Sequence, residues 1–89
     1  MIWSINILEQ AEEDLEWYRE HDRRRYVKCF DLIRSIAKNP REGIGKPERL
    51  KYFKEKGVWS RRVSQEDRII YTVYQKEYEV DISSCKGHY

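Results

Sequence analysis

The spacing of hydrophobic and polar positions changes along the chain, and each change predicts a new element. Residues 2–7 alternate loosely and are rich in β-branched and aromatic side chains, which is typical of a short strand. From residue 8 the apolar spacing lengthens to three and four residues, placing one set of side chains on a single helical face: Leu8, Ala11, Leu15 and Tyr18. The pattern therefore predicts a strand followed directly by an amphipathic helix.

A second helix is predicted after the charged run at residues 21–25. Asp22 is a suitable N-cap, because its carboxylate can accept a hydrogen bond from a free backbone N–H of the first turn. The apolar positions that follow have helical spacing: Val27, Phe30, Ile33 and Ala37. Asn39 and Pro40 then stop the helix. The two helices are expected to form a hairpin.

The second half of the chain has the pattern of a sheet. Glycine and proline in "REGIGKPE" predict a loop, and "SQED" predicts a polar turn between two alternating segments at 58–63 and 68–74. A last strand is predicted over 78–84, with Val80 and Ile82 facing the core. One more short strand is expected near residues 50–53.

The predicted order is thus β-α-α-β-β-β. Helices that cover one face of a mostly antiparallel sheet make an α+β fold, with an N-terminal strand, a helical hairpin and a sheet of three to four strands. At 89 residues the chain is expected to form a single domain over 1–89. Chains of this size bury only roughly 60% of their unfolded surface, so the core must be small.

Charge is distributed unevenly along the sequence. Lysine and arginine total 18 against 16 aspartates and glutamates, a net charge of +2. Residues 41–68 hold nine basic and five acidic side chains, +4, whereas the two flanks each carry −1. A positive middle segment is typical of a surface that binds a polyanion, and it is equally typical of a solvated face.

The cysteines and the N-terminus restrict the class of protein. Cys29 and Cys85 are far apart in sequence and have neither a C-x-x-C motif nor a histidine partner, so neither a zinc site nor a redox motif is visible. The apolar start "MIWSINIL" is too short for a signal peptide core or a membrane span. We therefore expect a cytoplasmic protein with reduced thiols, without a metal or other cofactor.

Several charged residues are candidates for chemistry. Glu48 follows the glycine- and proline-rich loop and is surrounded by cations, which suits a catalytic carboxylate or a surface glutamate in a loose ion network. Arg61 and Arg62 are adjacent on a strand, so they point to opposite faces and only one can join a given site. Arg68 lies across the predicted hairpin from Arg62. Two neighbouring guanidinium groups repel each other unless an anion lies between them, or unless acidic turn residues neutralise them.

The last two residues have an ambiguous role. His88 is titratable near neutral pH, and a histidine in a tail is commonly an exposed passenger. The predicted strand over 78–84 packs Val80 and Ile82 into the core, however, and this packing would hold the last residues in place. Tyr89 can stack on a nucleobase or cover an apolar edge.

Three segments in order resemble the YoeB toxins of the RelE/ParE toxin superfamily. They are "GIGKPERLK" at 43–51, "WSRRVSQEDRIIYTV" at 59–73 and "SSCKGHY" at 83–89. The earlier "EDLEWY" and "IRSIAKNP" are similar too, so the resemblance covers nearly the whole chain. Gly87 stands where the family often has an aromatic residue, and the segment from Lys51 to Trp59 is one residue longer.

The resemblance implies a fold of the RelE type and a metal-independent endoribonuclease that cleaves mRNA on the ribosome. By motif, the implied catalytic residues are Glu48 as general base, Arg68 for charge stabilisation and His88 as general acid. The implied substrate-binding residues are Lys51, Arg62, Glu66 and Tyr89. The implied partners are a YefM-type antitoxin, the ribosome with its A-site mRNA and a second copy in a homodimer, with DNA contacted only through the antitoxin complex and no membrane.

Two other functions fit the same architecture. The protein is alternatively a non-catalytic toxin of ParE type, or an inactive relative, that acts by protein contact alone. A small basic scaffold protein is the third interpretation. The motifs "KPE", "DR" and "HY" together favour cleavage, because a binding protein would not need a catalytic acid and base.

Overall fold

The computed structural model describes residues 2–54 and 57–87, and it confirms the predicted α+β class. Its elements, in chain order, are β1 Ser4–Ile7, α1 Glu9–His21, α2 Arg23–Lys38, β2 Glu48–Arg49, β3 Val58–Arg62, β4 Arg68–Tyr74 and β5 Glu79–Ser84. Within these residues no helix is both long and apolar enough to span a membrane.

The strands form one sheet in the order β1-β5-β4-β3-β2. β1 pairs with β5 in parallel, and the other three pairings are antiparallel. The short extra strand was predicted near residues 50–53, and this position is wrong by about two residues. Leu50 donates its N–H to Val58 O over 2.8 Å and buries its side chain, which starts the turn and ends the ladder at Arg49.

The core lies between the helices and one face of the sheet. From the sheet it receives alternate residues of the two central strands: Ile69, Tyr71 and Val73 from β4, and Val80 and Ile82 from β5. From α1 it receives Ala11, Leu15 and Tyr18, as the helical spacing predicts. Leu8, the first residue of the predicted stripe, is the N-cap and is 41% exposed, so the prediction is wrong there. Among the described residues, no helix covers the opposite face of the sheet.

The predicted apolar stripe of α2 is wrong in part. The buried side chains are Cys29, Leu32, Ile33 and Ile36. Val27 and Phe30 are 54% and 36% exposed. Two overlapping sets of apolar positions in this helix both have helical spacing, and the helix buries the set that packs on the sheet. Its start is as predicted, since the Asp22 carboxylate accepts from Arg25 N–H over 3.2 Å.

Candidate active site

Three of the predicted site residues share the face of the sheet that carries no helix. Glu48 lies directly opposite Ser60, and Arg62 lies directly opposite Arg68. Residues opposite each other in a ladder project from the same face, and so do residues two apart on one strand. Ser60 and Arg62 are two apart, so Glu48, Arg62 and Arg68 form one continuous surface.

Sheet geometry fixes the spacing of this group. Cβ atoms of directly opposite residues lie about 4.5–5.5 Å apart, and diagonal neighbours lie about 7–8 Å apart. Arg62 and Arg68 are a direct pair, whereas Glu48 and Arg62 are a diagonal pair. Glu48 and Arg62 are exposed, and Arg68 is half-buried. The three residues are therefore neighbours on one face of the sheet, and two of them are cations.

Arg68 is held by the turn that precedes it. Its Nη1 donates to three backbone carbonyl oxygens, those of Ser64 at 2.7 Å, Gln65 at 3.1 Å and Asp67 at 3.1 Å. These bonds restrict the rotamers of a long side chain that would otherwise be mobile. The guanidinium group is thus fixed at the start of β4, against the turn between β3 and β4.

Lys51 and Glu66 flank this group on opposite sides. Lys51 is exposed in the turn after β2, and Glu66 is exposed in the turn between β3 and β4. The Glu66 N–H donates to Ser64 Oγ over 3.2 Å, which shapes the turn. Glu66 also borders a depression of about 450 Å³ together with Asp14, Asp67, Lys86 and Gly87.

The chain segment 85–87 is fastened to the protein by four hydrogen bonds. Cys85 N–H donates to the Asp14 carboxylate at 2.9 Å, and Cys85 O accepts from the Tyr18 hydroxyl at 3.0 Å. Gly87 N–H donates to the Asp67 carboxylate, and Gly87 O accepts from Arg68 N–H, both at 2.8 Å. Gly87, the residue before His88, is therefore hydrogen-bonded directly to the backbone of Arg68.

Gly87 combines these bonds with an unusual backbone conformation. Its φ is +79°, in the left-handed region that glycine adopts without strain. A Cβ at this position would meet no atom within 4 Å, so an L side chain is disfavoured by the backbone alone. His88 and Tyr89, the proposed acid and stacking residue, lie outside the described residues.

Asp67 does not neutralise the arginine pair by contact. Its carboxylate binds Gly87 N–H and the Ser64 hydroxyl, at 3.2 Å for the latter, and it lies 3.8 Å from Arg25 Nη1. The Asp67 carboxylate therefore makes no ion pair with Arg62 or Arg68 among the described residues, and neutralisation of the two arginines by Glu66 and Asp67 stays an open alternative. The hydrogen bonds of the Asp67 carboxylate fasten the turn between β3 and β4 to Gly87.

Arg61 points to the other face and is fully buried. The prediction that the two adjacent arginines point to opposite faces is confirmed, because Arg62 is exposed on the helix-free face. Arg61 Nε donates to the Tyr71 hydroxyl over 3.1 Å. Burial raises the pKa of Tyr71, and the hydrogen bond from Arg61 partly offsets that increase.

Sequence reasoning missed the polar residues that hold the segment 85–87. Asp14 follows Ala11 by three residues and precedes Tyr18 by four, so it lies on the apolar stripe of α1. A carboxylate in such a stripe indicates a buried hydrogen-bonding role. That signal was available for Asp14. Tyr18 was predicted correctly as core, but its hydroxyl contact with Cys85 has no sequence signal.

Comparison with known proteins identifies the family. A family model described as the YoeB-like toxin of bacterial type II toxin-antitoxin systems matches residues 7–89. This chain belongs to that family. A curated Toxin YoeB from Synechocystis is 38% identical over 96% of this chain and 95% of the relative. Toxin YoeB from Escherichia coli K12 is 37% identical over 100% of this chain and 98% of its own.

Solved structures of YoeB proteins have the same fold. A YoeB dimer from Staphylococcus aureus superposes with a TM-score of 0.86 at 39% identity, covering 100% of both chains. A toxin from Agrobacterium tumefaciens, described as YoeB/ParE, superposes with a TM-score of 0.87 at 34% identity over 97% of this chain and 99% of its own. The resemblance to YoeB toxins stated from the sequence is confirmed.

Proposed function

We propose that this YoeB-like toxin is a metal-independent endoribonuclease that cleaves mRNA bound in the ribosomal A site and so inhibits translation. The observation that carries the proposal is the shared surface of Glu48, Arg62 and Arg68. The attachment of Gly87 to Arg68 supports it, because His88 is the next residue in the chain. A base, two cations and an acid are the groups that RNA cleavage by transesterification requires.

The reaction is proposed to proceed by in-line attack within the RNA. Glu48 accepts the proton of the ribose 2′-hydroxyl, and the 2′-oxygen forms a bond to the adjacent phosphorus. Arg62 and Arg68 stabilise the negative charge that develops on the phosphorane oxygens. The bond from phosphorus to the 5′-oxygen breaks, and the His88 imidazolium donates a proton to that oxygen. The products are a 2′,3′-cyclic phosphate and a 5′-hydroxyl, and protein side chains supply every proton and charge.

The flanking residues are assigned to substrate binding. Lys51 lies three residues beyond Glu48 and is proposed to contact a neighbouring phosphate. Tyr89 is proposed to stack on a base next to the scissile bond, as aromatic side chains do in single-stranded RNA complexes. Glu66, at the rim of the depression that Lys86 and Gly87 also line, is proposed to accept hydrogen bonds from a base edge or a ribose hydroxyl.

A basic groove next to the site supports ribosome dependence. It has a volume of about 770 Å³, and its charged lining from α2 and its N-cap consists of four cations and two acids: Arg23, Arg24, Arg25 and Lys28 with Asp22 and Asp31. Val63 and Ser64 also line it, which places it beside the turn that holds Arg68. With a net charge of only +2, attraction to ribosomal RNA would depend on such a local patch, and moderate salt should weaken it.

We also propose a YefM-type antitoxin as the protein partner. Two structures of YoeB-YefM complexes from Staphylococcus aureus superpose on this chain with TM-scores of 0.81, at 39% and 38% identity. An acidic and apolar antitoxin segment would complement the exposed cations of the helix-free face and would fold as it binds. Co-purification from cells that express both proteins, followed by measurement of the mass of the complex, tests the partner and its stoichiometry. The Staphylococcus YoeB dimer supports a homodimer of the free toxin, which the mass of the toxin alone tests.

The decisive experiment uses purified toxin, programmed ribosomes and an end-labelled mRNA. Glu48→Gln removes the base without changing the size of the side chain, and the rate should fall by about 10²- to 10⁴-fold. Glu77→Gln is the matched control, because Glu77 is exposed in the turn between β4 and β5 and should leave the rate unchanged. EDTA below the magnesium concentration removes more tightly chelated metals such as Zn²⁺ while the ribosomes stay intact, and cleavage should persist in it. Naked RNA should be cut far more slowly.

The products separate this proposal from the non-catalytic alternative. A 2′,3′-cyclic phosphate with cuts at A-site codons supports the endoribonuclease. Growth arrest without any new mRNA ends would instead favour a toxin that acts by protein contact. Full-speed cleavage of isolated RNA, or full activity of Glu48→Gln, would overturn the proposed ribosome-dependent mechanism.

A further inference from the structure

Arg61 is a buried cation whose acceptors all belong to uncharged groups. The guanidinium group is fully buried at the centre of the molecule, on the helix-facing side of β3. It donates five hydrogen bonds, to the Tyr71 hydroxyl at 3.1 Å, Ser35 Oγ at 2.6 Å, Ile44 O at 3.0 Å, Asn39 O at 2.7 Å and Glu42 O at 3.0 Å. None of these acceptors is a carboxylate.

Burying the Arg61 guanidinium without a carboxylate partner costs free energy, and its hydrogen bonds show which part of the protein it holds in place. Burial of a charge is expensive, and proteins usually offset it with an oppositely charged partner. Here backbone carbonyl dipoles from one short loop replace the carboxylate. The Tyr71 hydroxyl extends the set, since it accepts from Arg61 and donates to Pro40 O over 2.6 Å. Together the two side chains fix the carbonyl groups of four residues between 39 and 44.

The loop at 39–45 leads directly to the proposed base. It joins α2 to β2, and Glu48 follows it by three residues. Gly45 O accepts from Arg62 N–H over 2.7 Å, so β3 holds the end of the loop through its backbone as well. Gly43 adopts a φ of +133°, and a Cβ there would lie 2.9 Å from Arg61 Nη1, so the loop backbone lies directly against the guanidinium group.

β2 depends on this loop for its position because it is very short. It consists of two residues, and both are exposed. A two-residue edge strand has only a short ladder to fix its register. Its far end is held by Leu50, which is buried and donates to Val58 O, and its near end is held by the loop. The fixed loop therefore helps to keep Glu48 opposite Ser60 and diagonal to Arg62.

We propose that Arg61, with Tyr71, is a positioning residue that holds the 39–45 loop and thereby places Glu48 beside Arg62. The inference rests on the proposed function of Glu48 as the base. It gives separate roles to two adjacent arginines of one strand. Arg62 faces the substrate, and Arg61 acts from the opposite side of the sheet without contact with RNA.

A graded set of variants tests the proposal without depending on one disruptive change. Ser35→Ala removes one acceptor, Tyr71→Phe removes one hydroxyl, and Arg61→Lys removes most of the network while the charge remains. Displacement of a catalytic group by about 1 Å can cost about 10²-fold in rate. We expect kcat on programmed ribosomes to fall in that order, to about 10²-fold for Arg61→Lys, with KM within about twofold of wild type.

Two controls distinguish positioning from general stability. Ile7→Ala shortens a partly buried side chain in β1, at the opposite edge of the sheet from β2, and lowers stability without removing any group of the network. Its kcat should equal that of wild type. Amide hydrogen exchange at residues 43–49 should accelerate in Tyr71→Phe and stay unchanged in Ile7→Ala. This exchange measurement needs no activity, so it judges the positioning role even if the toxin proves not to cleave RNA.

Failure of the positioning role and failure of the proposed function give different results in these experiments. If Tyr71→Phe and Arg61→Lys lower the melting temperature yet keep wild-type kcat and loop exchange, Arg61 is only structural and the proposal fails. If Glu48→Gln remains fully active, the proposed function fails instead. Faster loop exchange with a lower kcat and an unchanged KM supports both.

Discussion

Arg62 and Arg68 lie directly opposite each other in β3 and β4 and project from the helix-free face of the sheet. Like charges at opposite positions destabilise a sheet by roughly 0.2–1 kcal/mol. A protein that retains such a pair has a use for the positive charge that both supply. The pair is the feature of this structure that most directly indicates an anionic ligand.

Relief of this repulsion should stabilise the free protein. Arg62→Gln is expected to raise the free energy of unfolding by about 0.2–1 kcal/mol at low salt, and to lower the rate of mRNA cleavage at the same time. Chemical denaturation at low and high salt measures the first effect, which salt should diminish. Arg34→Gln, an exposed change on α2, is the control and should not stabilise, because Arg34 lies 3.6 Å from Asp31. A destabilised Arg62→Gln would contradict the interpretation of the pair.

Asp67 should influence the cleavage rate because it holds Gly87, the residue before the proposed acid His88. Asp67→Ala removes the acceptor of Gly87 N–H and the contact with the Ser64 hydroxyl, and hydrogen bonds to a charged group contribute about 1.5–3 kcal/mol each. We expect faster amide exchange at residues 85–87 and a lower kcat. Asp67→Asn keeps one carbonyl oxygen toward Gly87 and should recover part of both. Equal exchange rates in all three proteins would refute an anchoring role for Asp67.

Deletion of residues 88 and 89 should separate folding from catalysis. The four hydrogen bonds that fasten the chain end at Gly87, so they survive the deletion. The far-UV circular dichroism signal and the melting temperature should be nearly unchanged, while cleavage on ribosomes should be lost. His88→Gln is the finer variant and tests the acid alone. A truncated protein as active as the full chain would remove His88 and Tyr89 from the mechanism.

The protein should lose stability in alkaline solution. Burial raises the pKa of the Tyr18 hydroxyl, and a hydrogen bond with Cys29, together with burial, raises the pKa of the Cys85 thiol. Both groups are neutral in the folded protein and ionise more readily when it unfolds. Their contribution is therefore complete below the unfolded pKa values of 9.0 and 10.0 and is lost as the pH rises above them.

Melting curves between pH 7 and pH 11 measure this loss, which should approach about 1.4 kcal/mol per pH unit for each group. Cys85→Ala should flatten the curve above pH 9. The folded protein should also react slowly with iodoacetamide, because both thiols are buried and a protonated thiol is a poor nucleophile. A stability that stays constant up to pH 11 would contradict the assigned pKa direction.

The sequence predicted the hairpin of β3 and β4 well because both strands alternate clearly around a polar turn. It predicted α2 less well, since Phe30 and Leu32 belong to overlapping stripes that periodicity ranks equally. Only the packing of the helix on the sheet selects between them. The arginine pair across the hairpin followed from alternation and register alone.

The polar contacts that organise the site were harder to predict. Arg61 is in phase with Trp59 and Val63, which are both apolar, and this phase is typical of a buried position. Its five acceptors lie in a loop, a helix and a neighbouring strand, so no spacing rule connects them. The same holds for the link from Asp67 to Gly87, which joins a turn to a tail twenty residues later.

β5 lies inside the sheet, between β1 and β4, although it is translated after every other strand. A sheet whose interior strand arrives last cannot close while residues 79–84 are still within the ribosome that makes them. Until then Arg68 has no Gly87 to bond and the core has no Val80 or Ile82. The nascent toxin therefore cannot complete its fold while β5 is still inside the ribosome that it is proposed to attack. Folding is completed only after translation has released that strand.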